Sequence, residues 1–361
     1  MSDILVIGGG AIGLLTAREL VRSGAKVTLV EMGTTGREAS WAGGGIMSPL
    51  YPWHYADAVT TLSLWSQRHY PQLCATLREE TGIDPEFVRS GLLVLEPQDQ
   101  DQALTWGREH QVRIESLAPD ALHETAPGLG FTPSTALWLP EIAQIRNPRF
   151  VKALRRSIAG QVRICEQEEV VELLLDSSRA IGARTCKGTI AADQVVVCAG
   201  AWTAQLFERL GYRLDIEPVR GQMILLHAEP EQLDHIVLFR DRYLIPRRDG
   251  RILIGSTLEH EGFVKVTTTE AKADLHRAAV GLFPSLEQAP IEQHWAGLRP
   301  SSPQGIPYIG AYPGIRGLYC NAGHYRNGLV TGPASARLAA DLLLGRDSGI
   351  DPLSYALDAD R

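Results

Sequence analysis

The sequence predicts an α/β protein in which a parallel sheet flanked by helices is joined to a second, α+β domain built on an antiparallel sheet. Three observations support this prediction. An apolar run followed by closely spaced glycines opens the chain, strand patterns of another kind occupy residues 91–96 and 223–255, and a further strand and helix occupy residues 317–345. At 361 residues the chain has room for about two domains.

Composition and charge exclude several classes of protein. The 35 Lys and Arg residues are outnumbered by 42 Asp and Glu, and no basic run occurs, so we expect no nucleic-acid partner. The five cysteines are scattered without a CxxC pair, which predicts free thiols in a reducing cytoplasm and no zinc site. No apolar stretch is long enough to span a bilayer, and the start of the chain lacks the positive charge of a signal peptide. We therefore expect a cytoplasmic protein without a metal or a membrane partner.

The start of the chain has the pattern of a strand–helix–strand unit. Residues 4–7 are fully apolar, as is typical of a central parallel strand, and residues 26–30 predict a second strand. A helix pattern lies between them and ends at Gly24. This order predicts a Rossmann-like parallel sheet.

The turn between the first strand and the helix carries the spacing GxGxxG. Gly8 makes the tight turn, Gly10 lets the backbone approach a pyrophosphate, and Gly13 lets the helix pack against the strand. The helix N-terminus favours phosphate, and Glu31 at the end of the second strand can accept a hydrogen bond from a ribose hydroxyl. The predicted cofactor contacts in this unit are Gly8, Gly10, Ala11, Ile12, Gly13, Glu31 and Met32.

A segment rich in small residues follows at 38–49 and favours FAD over NAD, which the first unit alone cannot distinguish. Its glycines suit a backbone that lies flat against a large planar ligand. The alternative is a flexible loop, but Trp41 and Met47 are too apolar for a solvated linker. The predicted contacts here are Ala39, Ser40, Gly44, Gly45 and Ile46.

Later segments complete the nucleotide-binding fold. Residues 162–165, 170–174, 194–199 and 317–322 are strand-like, and a helix with Pro333 at its first position follows the last of them. A second helix N-terminus would stabilise the negative charge of a reduced flavin. The predicted contacts are Val170, Gly200, Gly323, His324, Tyr325, Arg326, Asn327, Gly328, Leu329 and Val330.

Nucleotide-binding segments alternate along the chain with segments of the antiparallel sheet, so we predict that both domains are discontinuous. The FAD-binding domain is predicted to comprise residues 1–85, 147–216 and 300–361. The substrate-binding domain is predicted to comprise residues 86–146 and 217–299.

A predicted hairpin in the second domain places three side chains on one face of the sheet. Asp249-Gly250 predicts a two-residue turn between residues 242–245 and 251–255. With that turn, Tyr243 pairs with Ser256 and shares one face of the sheet with Leu258, so a phenol and a leucine would close a small pocket. Leu258 alone is as well explained as a packing residue.

Arg299 is the strongest candidate for binding a substrate. It follows the apolar residues 295–298 and precedes Pro300, where a cation requires a partner. A guanidinium binds a carboxylate through two parallel hydrogen bonds, although a buried structural ion pair is the alternative. Arg326 is a candidate to hold the flavin, the substrate or a loop carbonyl, and His324 is predicted to be a hydrogen-bonded loop residue and not a base.

Together these segments resemble the D-amino-acid oxidase/glycine oxidase family of FAD-dependent amine oxidoreductases, especially its bacterial glycine oxidases of thiamine biosynthesis (ThiO type). The resemblance runs from end to end of the chain. It is most specific at residues 295–300 and 323–329, and it also includes residues 8–13, 31, 39–52 and 218–222.

The resemblance implies an activity and a cofactor. FAD would be held non-covalently and would take a hydride from the α-carbon of glycine at N5, with no protein acid or base as catalyst. Arg299 would bind the substrate carboxylate, and Tyr243 and Arg326 would match other active-site positions, while Leu258 is a further candidate for a substrate contact. Oxygen would reoxidise the flavin, giving hydrogen peroxide, and the imine would yield glyoxylate and ammonia or serve directly as a thiazole precursor. A homo-oligomer, dimer or tetramer, is also implied.

Several alternatives remain open at the level of sequence. Some relatives carry methionine where this chain has Leu258, so sarcosine and small D-amino acids compete with glycine as the substrate. A dehydrogenase of the same fold would pass electrons to a quinone. A flavoprotein without turnover is an alternative of another class, and an NAD-dependent dehydrogenase comes last.

Overall fold

The computed structural model describes residues 3–229 and 233–361, so residues 1–2 and 230–232, within the two predicted domains, lie outside the described residues. The strands are β1 (Asp3–Ile7), β2 (Lys26–Val30), β3 (Leu92–Leu95), β4 (Glu115–Ser116), β5 (Ala136–Leu139), β6 (Val162–Cys165), β7 (Val170–Asp176), β8 (Arg179–Thr185), β9 (Gly188–Ala191), β10 (Gln194–Val197), β11 (Glu217–His227), β12 (Ile236–Phe239), β13 (Arg242–Pro246), β14 (Arg251–Gly255), β15 (Ile291–Ser301), β16 (Tyr308–Ala311) and β17 (Leu318–Ala322). The helices are α1 (Ala11–Arg22), α2 (Ala39–Ala42), α3 (Asp57–Thr81), α4 (Gln100–Glu109), α5 (Pro119–Thr125), α6 (Asn147–Ser157), α7 (Thr203–Glu208), α8 (Thr269–Leu282) and α9 (Gly328–Leu343). Among these helices, none combines the length and apolar character needed to cross a membrane.

The predicted parallel sheet is confirmed. Its order is β16-β17-β10-β1-β2-β6, parallel throughout except for the antiparallel edge strand β16. Side chains of β1 alternate between two cores: Ile4 and Val6 pack with α1 and α9, whereas Leu5 and Ile7 pack towards the small sheet β7-β8-β9. Burial on both faces explains why the strand is apolar at every position.

The second sheet contains the segments that the sequence predicted as antiparallel strands. Its order is β15-β11-β14-β13-β12-β3-β5-β4, and all described pairs are antiparallel except β3 with β12. Helix α8 covers one face through Leu275 and Ala279. The opposite face carries Met223 and Tyr243. Strand β15, which the sequence patterns did not predict, carries Arg299 at the edge of this sheet.

The hairpin between β13 and β14 differs from the prediction. The amide of Arg247 donates to the carbonyl of Arg251 at 2.7 Å, so the turn contains three residues and not two. Gly250 supplies the left-handed conformation, with φ of +80°, that such a turn requires.

This one-residue difference changes which side chains share a face. Tyr243 pairs with Gly255 and not with Ser256, because Asp249-Gly250 does not form the whole turn. Leu258 lies beyond the end of β14 and is 49% exposed. The prediction that Tyr243, Ser256 and Leu258 line one wall is therefore wrong, since a slip of one residue moves a strand's side chains to the other face.

The last helix also begins earlier than predicted. Helix α9 starts at Gly328, which places Pro333 inside the helix and not at its first position. A proline cannot donate to the carbonyl four residues before it, here that of Leu329. The hydroxyl of Tyr70 from α3 donates to that carbonyl instead. Packing against α3 thus stabilises a helix that the local sequence would interrupt.

Candidate active site

A cavity lies where the ends of β1, β10 and β17 face the second sheet. It is lined by most of the predicted cofactor and substrate residues; Gly13, Gly323 and Leu258 are the three that do not line it. The predicted residues that line it are Gly8, Gly10, Ala11, Ile12, Glu31, Met32, Ala39, Ser40, Gly44, Gly45, Ile46, Val170, Gly200, Tyr243, Arg299, His324, Tyr325, Arg326, Asn327, Gly328, Leu329 and Val330.

At one end of the cavity, backbone groups form an anion site. Helix α1 has no acidic residue in its first turn, and Gly10, Ala11 and Ile12 at its N-terminus line the cavity, where the helix dipole favours an anion. The amide of Ala11 donates to Ser40 Oγ at 2.8 Å, which places a hydroxyl at the same helix end. A Cβ on Gly13 would lie 1.9 Å from the carbonyl oxygen of Gly8. Gly13 therefore serves helix–strand packing without lining the cavity.

Glu31 is held at the end of β2 by the glycine turn. Its carboxylate accepts hydrogen bonds from the amides of Gly9 at 2.7 Å and Gly33 at 2.8 Å. Burial raises the pKa of Glu31, and these two bonds partly oppose the rise. The carboxylate is thereby oriented while it keeps lone pairs that can accept from a ribose hydroxyl.

The small-residue segment is shaped by close backbone approach. A Cβ on Gly45, whose φ is +81°, would lie 2.1 Å from the carbonyl oxygen of Ile145. Arg247 donates to the carbonyl of Gly44 at 2.7 Å, and burial lowers the pKa of Arg247 to about 10. The segment is therefore a fixed wall of the cavity and not a flexible loop.

Asn147 lines the same wall and retains an unused acceptor. Its Nδ2 donates to the carbonyl of Ser40 at 3.0 Å. Its Oδ1 is buried and has no hydrogen-bond partner among the described residues. Such an acceptor fits a ligand with a donor group, since buried polar atoms are nearly always paired. With the anion site and the fixed glycine wall, it makes the cavity suitable for a dinucleotide such as FAD.

Arg299 lies at the other end of the cavity. Its Nη2 donates to Ser256 Oγ at 2.7 Å and its Nη1 donates to the carbonyl of Thr257 at 3.2 Å. A Cβ on Gly221 would lie 2.2 Å from Nη1 and Nη2, so this glycine makes room for the guanidinium. No carboxylate of the described residues forms an ion pair with Arg299. Burial lowers the pKa of Arg299, and the structure does not support the alternative of a buried ion pair.

The neighbours of Arg299 are held by residues on the other face of β11. The backbone amide of Gln222 donates to Thr257 Oγ1 at 2.8 Å, and its side-chain Nε2 donates to Glu259 Oε1 at 2.8 Å. Arg220 is buried and forms an ion pair with Glu259. Burial disfavours the charge on Glu259, but hydrogen bonds from Thr257, Gln222 and Arg220 outweigh it and lower the pKa. This network holds the segment after β14, which carries Ser256 and Thr257, the two hydrogen-bond acceptors of Arg299.

Tyr243 and Met223 lie in one row across three strands. Tyr243 on β13 pairs with Gly255 on β14, which pairs with Met223 on β11. A Cβ on Gly255 would lie 2.6 Å from the Tyr243 ring, so the glycine lets the ring cross it. Tyr243 Oη lies 3.9 Å from Met223 Sδ. Met223 lines the cavity and was not predicted, because only strand pairing reveals its position.

Arg326 lines both the cavity and a neighbouring depression. Leu258 belongs to that depression and not to the cavity. The described ion pairs include neither Arg299 nor Arg326, so both of these residues line the cavity without forming an ion pair with a protein carboxylate.

His324 is buried and neutral. Its Nε2 lies 3.0 Å from Ser335 Oγ, and that hydroxyl donates its proton to the carbonyl of Thr331. The hydrogen bond therefore requires a proton on Nε2 of His324. Burial lowers the pKa of His324 to about 3, so it carries no charge near neutrality.

Two cysteines, Cys198 and Cys320, bear on the expectation that FAD is held non-covalently. Cys198 lines the cavity, but burial raises the pKa of its thiol to about 12. Cys320 is fully buried and does not line the cavity.

The sequence patterns missed Trp202, Gln205 and Arg209, which also line the cavity. They lie in or beside the short helix α7, whose six residues are too few to show a helical period.

Comparisons with known proteins agree with this geometry. A family model described as FAD dependent oxidoreductase matches residues 3–342. The chain is 50% identical to a glycine oxidase of Pseudomonas aeruginosa over 98% of each chain, and 32% identical to a bifunctional protein ThiO/ThiG of Trichormus variabilis over 97% of this chain and 54% of that one. The crystal structure of glycine oxidase from Geobacillus kaustophilus superposes with a TM-score of 0.93 at 30% identity and covers 100% of both chains.

Proposed function

This chain belongs to the family of FAD-dependent oxidoreductases, and from that premise we propose that it catalyses the oxidative deamination of glycine with oxygen as the electron acceptor. The observation that carries the proposal is the part-buried guanidinium of Arg299, which faces the cavity without a carboxylate partner among the described residues. A buried cation that lacks an anion fits a substrate that brings one.

The residues that hold the cofactor follow from the two helix ends. The pyrophosphate fits the N-terminus of α1, where Ala11 and Ser40 supply polar groups, and Glu31 fits a ribose. The N-terminus of α9 at Gly328 lies on the wall of the same cavity and stabilises negative charge there. When bound, FAD supplies the acceptor for the hydride of the substrate and the reaction with oxygen that yields hydrogen peroxide.

The substrate residues act by orientation. We assign the glycine carboxylate to the two Nη atoms of Arg299, helped by the hydroxyl of Tyr243, which lies beside that guanidinium. Arg326 adds positive charge on the same side. His324 is neutral and already hydrogen-bonded to Ser335, which agrees with a reaction that needs no protein base.

The biological setting is part of the same proposal. Relatives named ThiO/ThiG support a role in the thiazole branch of thiamine biosynthesis. We further propose that the protein is cytoplasmic and a homo-oligomer. The discontinuous division into an FAD-binding and a substrate-binding domain remains a prediction, as does a substrate contact for Leu258.

An anaerobic substrate screen tests the proposal. Purified protein is mixed with glycine, sarcosine, D-alanine or L-proline, and bleaching of the flavin absorbance is followed. We expect glycine to bleach it, with glyoxylate, ammonia and peroxide formed once air is admitted. Faster bleaching by another amine would reassign the substrate, and reoxidation by a quinone but not by oxygen would indicate a dehydrogenase. No bleaching by any small amine would favour a flavoprotein without turnover.

A further inference from the structure

We propose that Met223 is a modification site: hydrogen peroxide released by turnover oxidises its sulfur to the sulfoxide and thereby limits the working life of the enzyme. The inference rests on the proposed function, because that reaction supplies the oxidant. It assigns a chemical fate to a residue whose thioether the deamination itself does not use.

The position of Met223 favours this reaction. It is 2% exposed overall, yet it lines the cavity in which peroxide is formed. It lies on the same face of β11 as Gly221, and Gly221 is the residue that makes room for the guanidinium of Arg299. Its Sδ is 3.9 Å from Tyr243 Oη, so a small polar molecule near the phenol also lies near the sulfur.

Two other methionines provide internal controls. Met32 is 37% exposed and lies at the nucleotide end of the cavity, away from the substrate end where peroxide is formed. Met47 is 1% exposed and packs outside the cavity lining. Peroxide from solution should therefore modify Met32 first, whereas peroxide from turnover should modify Met223 first.

The step is balanced. The lone pair on Sδ attacks one oxygen of hydrogen peroxide, a sulfur–oxygen bond forms and the oxygen–oxygen bond breaks. The sulfur loses two electrons, and the second peroxide oxygen keeps its own hydrogen, takes the proton of the first oxygen and leaves as water. No oxidant besides the peroxide is required.

The product would disturb the substrate end of the cavity. A sulfoxide oxygen is a strong acceptor, and the hydroxyl of Tyr243 is its nearest described donor. The phenol would then be withdrawn from the substrate, and a polar group would sit in the apolar cluster that includes Ile245 and Leu253. We expect the KM for glycine to rise in proportion to the fraction of Met223 that is oxidised.

Peptide mass spectrometry of the holoenzyme tests the inference. One sample turns over glycine in air with catalase in the solution, and a second receives an equal total amount of peroxide without glycine. We expect sulfoxide at Met223 ahead of Met32 in the first sample and the reverse in the second. The inference is overturned if Met223 stays unmodified while glyoxylate and peroxide are produced, a result that leaves the proposed function standing. If no peroxide is produced, the proposed function itself has failed.

A matched pair of variants tests the consequence. Met223→Leu removes the sulfur at similar volume, and Met47→Leu does the same outside the cavity. Each variant is compared with its own initial rate. We expect loss of activity per turnover to slow several-fold in Met223→Leu and to be unchanged in Met47→Leu. Equal inactivation in both variants contradicts a role for Met223, and the wild-type peptide map still decides the site if Met223→Leu folds poorly.

Discussion

The two ends of the cavity are built in different ways. At the phosphate end, the glycine turn, Glu31 and Ser40 all come from the first 40 residues, and backbone amides supply the donors. At the carboxylate end, Arg299, Tyr243 and Arg326 come from separate segments that meet only through the pairing of β11, β13, β14 and β15.

This difference determines how each end should fail. A backbone site depends on the absence of side chains, so it fails when a Cβ is added. A side-chain site depends on charge and on the residues that hold it, so it fails when a charge or its support is removed. Flavin content reports on the first end, and the KM for glycine reports on the second.

The largest effect is expected at the phosphate end. Gly13→Leu should give colourless protein, because even a Cβ there would lie 1.9 Å from the carbonyl oxygen of Gly8. Flavin absorbance per protein measures it. Gly281→Ala on α8 is the control, since its Cβ would meet nothing within 4 Å. Yellow Gly13→Leu protein would mean that the turn does not hold the cofactor.

The next largest effect is expected for Arg299→Ala. Loss of two charge-assisted hydrogen bonds to the substrate should cost about 3 kcal/mol or more, or roughly 100-fold in kcat/KM. Most of the loss should be in KM for glycine, and flavin content should be retained. Arg299→Lys, which keeps the charge but not the planar fork, should recover part of it. Equal KM values in Arg299→Ala and wild type would remove Arg299 from the carboxylate role.

A pH-dependent effect is expected from His324, which lines the cavity. The unfolded chain binds a proton at this residue below its usual pKa of 6.5, whereas the folded protein does so only near 3. Stability should therefore fall as pH decreases from 6.5 towards 3, by up to about 1.4 kcal/mol per pH unit. Urea unfolding of wild type and His324→Asn apoprotein measures the difference in slope. Parallel slopes would show that His324 titrates normally.

A smaller effect is expected from Glu259→Gln, which weakens the support of Arg299 without touching the cavity. Loss of the charge opposite Arg220 should raise KM for glycine several-fold, about 1 kcal/mol, with flavin affinity unchanged. Glu292→Gln is the control, since Glu292 pairs with Arg251 at the end of β15 that is far from Arg299. An unchanged KM in Glu259→Gln would show that strand pairing alone positions Arg299.

The smallest effect is expected from Ser40→Ala. It removes the hydroxyl that accepts from the amide of Ala11, so FAD should bind about fivefold more weakly, a cost of about 1 kcal/mol. The KM for glycine measured at saturating FAD should not change. A change in KM without a change in FAD affinity would show that Ser40 acts on substrate binding and not on cofactor binding.

Sequence reasoning succeeded where neighbours in the chain decide the structure. The requirement for glycine at position 13 follows from the carbonyl oxygen of Gly8, five residues before it, and the strand–helix–strand order around this turn was confirmed. It failed at the β13–β14 hairpin because a two-residue and a three-residue turn can both use Asp249-Gly250, and only strand pairing selects between them.

The sequence by itself determined the family through its resemblance, the parallel sheet and the glycine turn through local spacing, and the place of Arg299 in the cavity through a residue type whose burial demands a partner. Tertiary structure alone decided that Ser256 and Thr257 hold that arginine, that Met223 stands beside Tyr243 and that Leu258 lies outside the cavity. These facts depend on which strands pair and in what register, and a shift of one residue would have reversed them.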